Sequence, residues 1–221
     1  NGAHIINASY GSFAHSESQY DAIEAARDAG IIGVAAAGND AINNDVTVDY
    51  PSGYLLDNVV SVASTTRTDA LSDTSNTGSG SVEIAAPGHE IYSTYNESNS
   101  SYRSLNGTSM AAPHVSGALA LLKAKFPNDT YRQLINRLLR STTKLAVLNG
   151  KVQTSGRLNL AQALASTSNR PFNDDFAARA LVSGPTVRIR SSNVGATAES
   201  GEPLHPPVAR TTSLWWGWAP T

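Results

Sequence analysis

The chain contains no cysteine. Disulfides and thiolate metal sites are therefore excluded. Charge is sparse: 15% of the 221 residues are charged, with 16 Lys and Arg against 18 Asp and Glu. No basic stripe is visible, so neither a nucleic acid nor an anionic membrane is an expected partner. No apolar run reaches the roughly 20 residues of a membrane-spanning helix. There is no internal repeat. Residue 1 leads straight into a strand-like segment with no targeting leader in front of it, and the native N-terminus is expected to lie upstream. What is plentiful is Ser, Thr, Asn, Ala and Gly. That mix, without disulfides, is compatible with an exported bacterial protein. The length predicts one full domain and part of another.

Residues 4–9 read as a strand. Ser16 and Gln19 have capping-box spacing before a helix carrying Tyr20, Ile23 and Ala26, which Gly30 ends. Residues 31–37 are continuously apolar, as suits a central strand covered on both faces. Strand, helix and strand with short links form a βαβ unit, which implies a parallel sheet with a right-handed crossover. Further strands are expected at 58–64, 82–86 and 91–95, separated by polar loops. A helix apolar nearly all round, hence buried, is expected over 109–125; Pro113 is read as lying in its first turn. A helix capped by Asn128, with Arg132, Arg137 and Arg140 outward, and a short helix over 157–165 follow. Composition shifts after Ser166. Residues 167–172 read as a linker, 186–190 alternate like a strand, and the Trp-rich run 213–218 is β-prone.

The chemistry centres on Asn106-Gly107-Thr108-Ser109-Met110-Ala111-Ala112-Pro113-His114. A polar turn runs into a buried helix with a hydroxyl at the join. Backbone N–H groups there lack helical partners, and the helix dipole favours negative charge. A serine at that point can attack a carbonyl and have the resulting oxyanion held nearby.

This segment resembles the serine segment of the subtilisin-like serine proteases. The resemblance covers about residues 1–166. It implies an α/β fold, a parallel sheet with helices on both faces and the N-terminal part missing; a second and less specific resemblance, carried by residues 172–176, 193–197 and 215–220, makes 173–221 the start of a truncated bacterial β-sandwich accessory domain. The first resemblance implies Ser109 as nucleophile of an endopeptidase acting on polypeptides. Ala35-Ala36-Ala37-Gly38-Asn39 matches the family's second segment, which makes Asn39 the side-chain donor to the oxyanion. Loss of such a donor costs about 100- to 1,000-fold in rate, a figure that comes from subtilisin itself. Residues 6–11 resemble the substrate-binding strand, so Ser9, Tyr10 and Gly11 would line the acyl side of the cleft. Tyr10 stands where the family has an aliphatic residue. Ala36, Ala37 and Gly38 would floor the main specificity pocket. Thr108 would add a hydroxyl near the oxyanion, and Asn106 would shape the turn.

Triad chemistry also needs a base and a carboxylate. The family's Asp-Ser/Thr-Gly and His-Gly-Thr-His segments are absent, and His4, His15, His89, His114 and His205 do not match the catalytic histidine. The Asp and His are expected upstream, and this stretch alone is expected to be inactive. The alternative is a non-catalytic remnant or an extracellular binding module. No cofactor is required for the chemistry. Asp40, Asp45 and Asp49 lie in an oxygen-rich loop of the kind that binds structural calcium, or are simply solvated. The Trp residues of the last segment would serve an extracellular ligand or form a sandwich core. The Asn-x-Ser/Thr triplets at Asn7, Asn96, Asn99, Asn106 and Asn128 read as chance in a Ser/Thr-rich chain.

Overall fold

The computed structural model describes residues 2–185, 187–199 and 214–219. Its centre is a six-stranded sheet in the order β1-β2-β3-β4-β8-β7. The strands are β1 (Ile5–Ala8), β2 (Ile32–Ala36), β3 (Val59–Thr65), β4 (Ile84–Pro87), β7 (Thr143–Lys144) and β8 (Gly156–Arg157). β1 to β4 and β8 run parallel, and β7 alone is antiparallel. Every residue of β3 is buried, as an apolar strand between two covered faces requires. Alternate residues Ile32, Val34 and Ala36 join Val60, Val62 and Ile84 against one layer of helices. That layer holds α2 (Thr108–Lys125), α3 (Tyr131–Arg140) and α4 (Leu160–Ala165). Helix α1 (Glu17–Asp28) covers the opposite face, where Tyr20 and Ile23 pack on Ala35, Tyr54, Leu56 and Val59. Strands β5 (Ile91–Thr94) and β6 (Tyr102–Leu105) form a separate antiparallel hairpin directly before α2.

Several local expectations change. Ser16 caps α1 through the Gln19 N–H, but the Gln19 side chain does not close the box; it bonds Tyr54 and Tyr10 instead. The cap of α3 is Thr130, in a complete capping box with Gln133, rather than Asn128. Arg137 does not point outward. It is 4% exposed, lies 3.7 Å over the Phe126 ring and pairs with Asp129. Arg157 belongs to β8, and α4 starts after its Asn159 cap. Residues 187–190 have no regular structure, and Thr186 lies outside the described residues. The Trp-rich run does supply a strand, β10 (Trp216–Ala219), which pairs in parallel with β9 (Ala180–Ser183).

The segment after the expected linker reaches back into the first unit. Arg190 is 7% exposed, its guanidinium enclosed by Ser52, Tyr54, Ser81 and Glu83. Its guanidinium makes a two-nitrogen contact with Glu83, at 2.7 Å to Oε2 and 3.1 Å to Oε1, and donates to the Ser52 carbonyl at 3.0 Å. The Ser61 N–H also donates to Glu83.

Candidate active site

Ser109 is the second residue of α2, and Gly107 is the N-cap. A helix start ordinarily recruits a neighbouring Ser, Thr, Asp or Asn to accept one of its free N–H groups. Gly107 has no side chain to do so. A distant residue takes that role. Asn39, just after β2, accepts through Oδ1 from the Thr108 N–H at 2.8 Å and from the Thr108 hydroxyl at 3.2 Å. Among the described residues, two donors at this point have no acceptor: the Ser109 N–H and the Asn39 Nδ2 amide. Gly107 lies at φ +144°, and a Cβ there would stand 3.2 Å from Asn39 Oδ1. A side chain would strain the backbone and crowd the amide at once.

The position of Asn39 depends on residues that the sequence does not single out. Asn76 is fully buried in the polar loop between β3 and β4. Its Oδ1 accepts from the N–H groups of Asp40 at 2.8 Å and Ile42 at 3.2 Å. Its Nδ2 donates to the Ala37 carbonyl at 3.0 Å and to Asn44 Oδ1 at 3.1 Å. Asn44 returns a bond to the same carbonyl at 2.7 Å. Gly38 turns the chain at φ +106°, where a Cβ would collide with Asn76 Nδ2. The turn bearing Asn39 is thus fixed by a buried carboxamide pair with its hydrogen bonds satisfied.

Ser9 and Ser109 exchange hydrogen bonds. The Ser9 hydroxyl donates to the Ser109 carbonyl at 2.8 Å, and the Ser109 hydroxyl donates to the Ser9 carbonyl at 3.2 Å. The first bond has a cause in Pro113. That residue is the sixth of α2, not part of its first turn. Its missing N–H leaves the Ser109 carbonyl, four residues back, without a helical donor. Ser9 supplies one. Asn7 donates in turn to the Ser9 hydroxyl and accepts from Ser116, both at 2.8 Å. The end of β1 is laced to α2 along two turns.

The remaining expected residues fall around this join. Tyr10 is 58% exposed on the rim, and Gly11 is exposed beside it. Ala36 and Ala37 bury their side chains in core clusters on opposite faces of the sheet, so they offer main chain to the cleft. Thr108 is fully buried; its hydroxyl is shared between Gly38 and Asn39. Asn106 shapes the turn by accepting from the Glu90 N–H at 2.6 Å. On the far side of Ser109 a shallow groove runs past Met110 and His114 to Tyr92 and Arg103 of the hairpin.

None of His4, His15, His89 and His114 hydrogen-bonds the Ser109 hydroxyl, and His205 lies outside the described residues. The ring of His114 is tied to the Met110 carbonyl at 2.8 Å. The three acids of the 40–49 loop separate. Asp45 accepts from the Gly80 N–H and the Ser79 hydroxyl, Asp40 is exposed, and Asp49 is buried. No group of three His, Cys, Asp or Glu side chains among the described residues is arranged to hold a metal.

The chain is an α/β protein of largely parallel sheet that presents a serine at a helix N-terminus, beside an unpartnered N–H and an unpartnered carboxamide nitrogen. Comparison with known proteins places it in a family. A model of the subtilase family matches residues 1–166, and the chain belongs to that family. Subtilisin DY of Bacillus licheniformis is 40% identical over 146 residues, 66% of this chain and 52% of that protein. Subtilisin BL of Lederbergia lenta is 38% identical over 163 residues, covering 74% of this chain and 57% of its own length. A solved structure described as proteases from Pseudoalteromonas arctica PAMC 21717 superposes with a TM-score of 0.64 at 34% identity. That match covers 75% of this chain and 51% of the other. The chain spans about half the length of these relatives.

Proposed function

We propose that the chain is the serine-bearing part of a secreted bacterial subtilisin-like endopeptidase. Its Asp and His partners are supplied by residues outside this stretch. The observation that carries the proposal is the pair of unpartnered donors, Ser109 N–H and Asn39 Nδ2, at the start of the helix that bears the serine. Peptide-bond cleavage develops negative charge on the carbonyl oxygen. Donors that are already fixed stabilise that charge without reorganising. The Ser109 oxygen attacks the carbonyl carbon as an imidazole takes its proton. The tetrahedral oxyanion rests on the two donors. The proton then passes to the leaving amine, and water releases the acyl group. A substrate strand would lie along Ser9, Tyr10 and Gly11 and bond through its main chain.

No helix among the described residues is long and apolar enough to cross a membrane, which accords with a secreted enzyme. The test uses the longest natural polypeptide containing this chain, treated with a serine-directed fluorophosphonate. Labelling at Ser109, lost in Ser109→Ala, is expected. A folded protein that takes no label would overturn the proposal in favour of a non-catalytic remnant.

A further inference from the structure

Asp49 is the buried acid that the chemistry above leaves unused. It sits behind the segment that follows β1. The Ser12 and Tyr50 main chains pair at 2.9 and 2.8 Å and hold residue 49 directly behind Gly11. Both walls of the gap are glycine at this level. A Cβ on Gly11 would collide with Asp49 Oδ1, and one on Gly38 would stand 3.3 Å from Oδ2. The carboxylate therefore packs between the two segments that flank Ser109, against both glycines.

Among the described residues Asp49 has no counter-charge. It is 4% exposed, and its Oδ1 accepts no hydrogen bond. It makes no ion pair of the kind that joins Asp57 to Arg132. The neighbour that acts on it, Asp40, carries the same sign, and burial and Asp40 together push its carboxyl up to about 6. An ionised, unpaired and unbonded carboxylate in an interior is costly, and folds usually avoid it. A buried acid held this way in a cleft marks a place where a ligand brings the missing charge. A divalent ion is a poor match, because no three acidic or His side chains among the described residues gather there. A single long cationic side chain matches: one carboxylate at the base, apolar glycine walls, and a second acid at the rim.

We infer that Asp49 is a specificity-determining residue of the proposed protease, selecting lysine or arginine at the residue that contributes the attacked carbonyl. The inference rests on the proposed function for the direction in which the substrate lies. The substrate main chain is held by the extended segment at Ser9, Tyr10 and Gly11, and the carbonyl sits at Ser109. The side chain of that residue then enters between Gly11 and Gly38, where its ammonium or guanidinium meets Asp49 and passes Asp40.

The test separates this inference from the proposed function. The Ser109→Ala form of the longest natural polypeptide containing this chain is titrated by calorimetry with two peptides that differ only in a C-terminal arginine or norleucine. The arginine peptide should bind about 30-fold or more tightly, as expected for a desolvated charge pair. The difference should collapse in the Asp49→Asn and Asp49→Ala backgrounds, with circular dichroism establishing that each variant is folded. Equal binding of the two peptides, no binding of either, or a preference that survives the loss of Asp49 would overturn the inference. Fluorophosphonate labelling of Ser109 in the unmutated protein reads the nucleophile alone, so one result can fail while the other stands.

Discussion

Replacing Arg190 by Met should test how the C-terminal segment is tied to the sheet. The guanidinium neutralises Glu83, which is 4% exposed, and also donates to the carbonyls of Ser52 and Tyr54. Glu83 is pushed above the ordinary carboxylate range by burial, which outweighs the opposing pull of Arg190 and the Ser61 N–H. Methionine fills similar space but leaves the carboxylate without its cation. Breaking a buried pair from one side costs about 3–5 kcal/mol, and each abandoned carbonyl adds about 1 kcal/mol or more.

The ceiling is set by protonation of Glu83. In Arg190→Met its folded-state pKa rises further, while the unfolded value stays ordinary. The variant should therefore lose stability as pH rises above the unfolded pKa, and it should be closest to the parent at acid pH. The control is the double variant Glu83→Gln with Arg190→Met, which removes both charges. It should be more stable than Arg190→Met alone, with a coupling of about 2–3 kcal/mol. Urea unfolding followed by circular dichroism measures all four corners of the cycle. A loss below about 1 kcal/mol in Arg190→Met, or strictly additive single effects, would refute the reasoning. The segment near Arg190 would then be peripheral to the fold.

Three other outcomes follow from the same geometry. Gly107→Ala should reduce fluorophosphonate labelling of Ser109 by about tenfold or more, because a Cβ strains a left-handed φ and presses on Asn39; unchanged labelling kinetics would count against the placement of Asn39. Asn76→Ala should cost about 2–4 kcal/mol in a denaturant melt, since it removes two buried hydrogen bonds, to the Ala37 carbonyl and Asn44, and two more from the N–H groups of Asp40 and Ile42, and a loss within 0.5 kcal/mol, about the ordinary surface effect, would contradict it. For Asp49, whose carboxyl is raised from 3.8 to about 6, the unfolded state ionises first as pH rises. Folding should lose up to about 3 kcal/mol between those values, and Asp49→Asn should lack that loss. Parallel stability curves for the two proteins would refute it.

The motif and the sheet were legible because both leave local signatures. Residues 31–37 are apolar without a break, and a serine preceded by Gly and Thr runs into an apolar helix. The supports were not legible, because their partners lie far away in the chain. Asn76 sits in a run of Ser, Thr, Asn and Gly that reads as loop, and nothing local shows that it is fully buried. Asp49 was visible only as one of three acids in a polar stretch; its separation from Asp45 depends on a turn at Gly80 that pairing rules do not give. Arg137 follows helical spacing to the surface, yet Phe126 and Asp129 draw it inward. Pro113 was placed correctly in sequence but one turn too near the helix start, which hid the reason for the Ser9 hydroxyl.

The start of α2 shows why such supports matter to the chemistry. A helix of this composition could have capped itself with Ser or Asp at position 107 and kept an N–H at position 113. Either choice would make the first turn locally self-sufficient. This chain has Gly107 and Pro113 instead, and both deficits are met from outside: Asn39 accepts the Thr108 N–H, and Ser9 donates to the Ser109 carbonyl. A local cap would have placed its own side chain over the first N–H groups, where the proposed oxyanion would rest. Capping from a distance leaves the Ser109 N–H open and brings a second donor, the Asn39 amide, to the same helix start. The site is consequently a property of the assembled sheet. It exists only when the ends of β1 and β2 are in register with α2, as the Asn7, Ser9 and Asn76 contacts enforce.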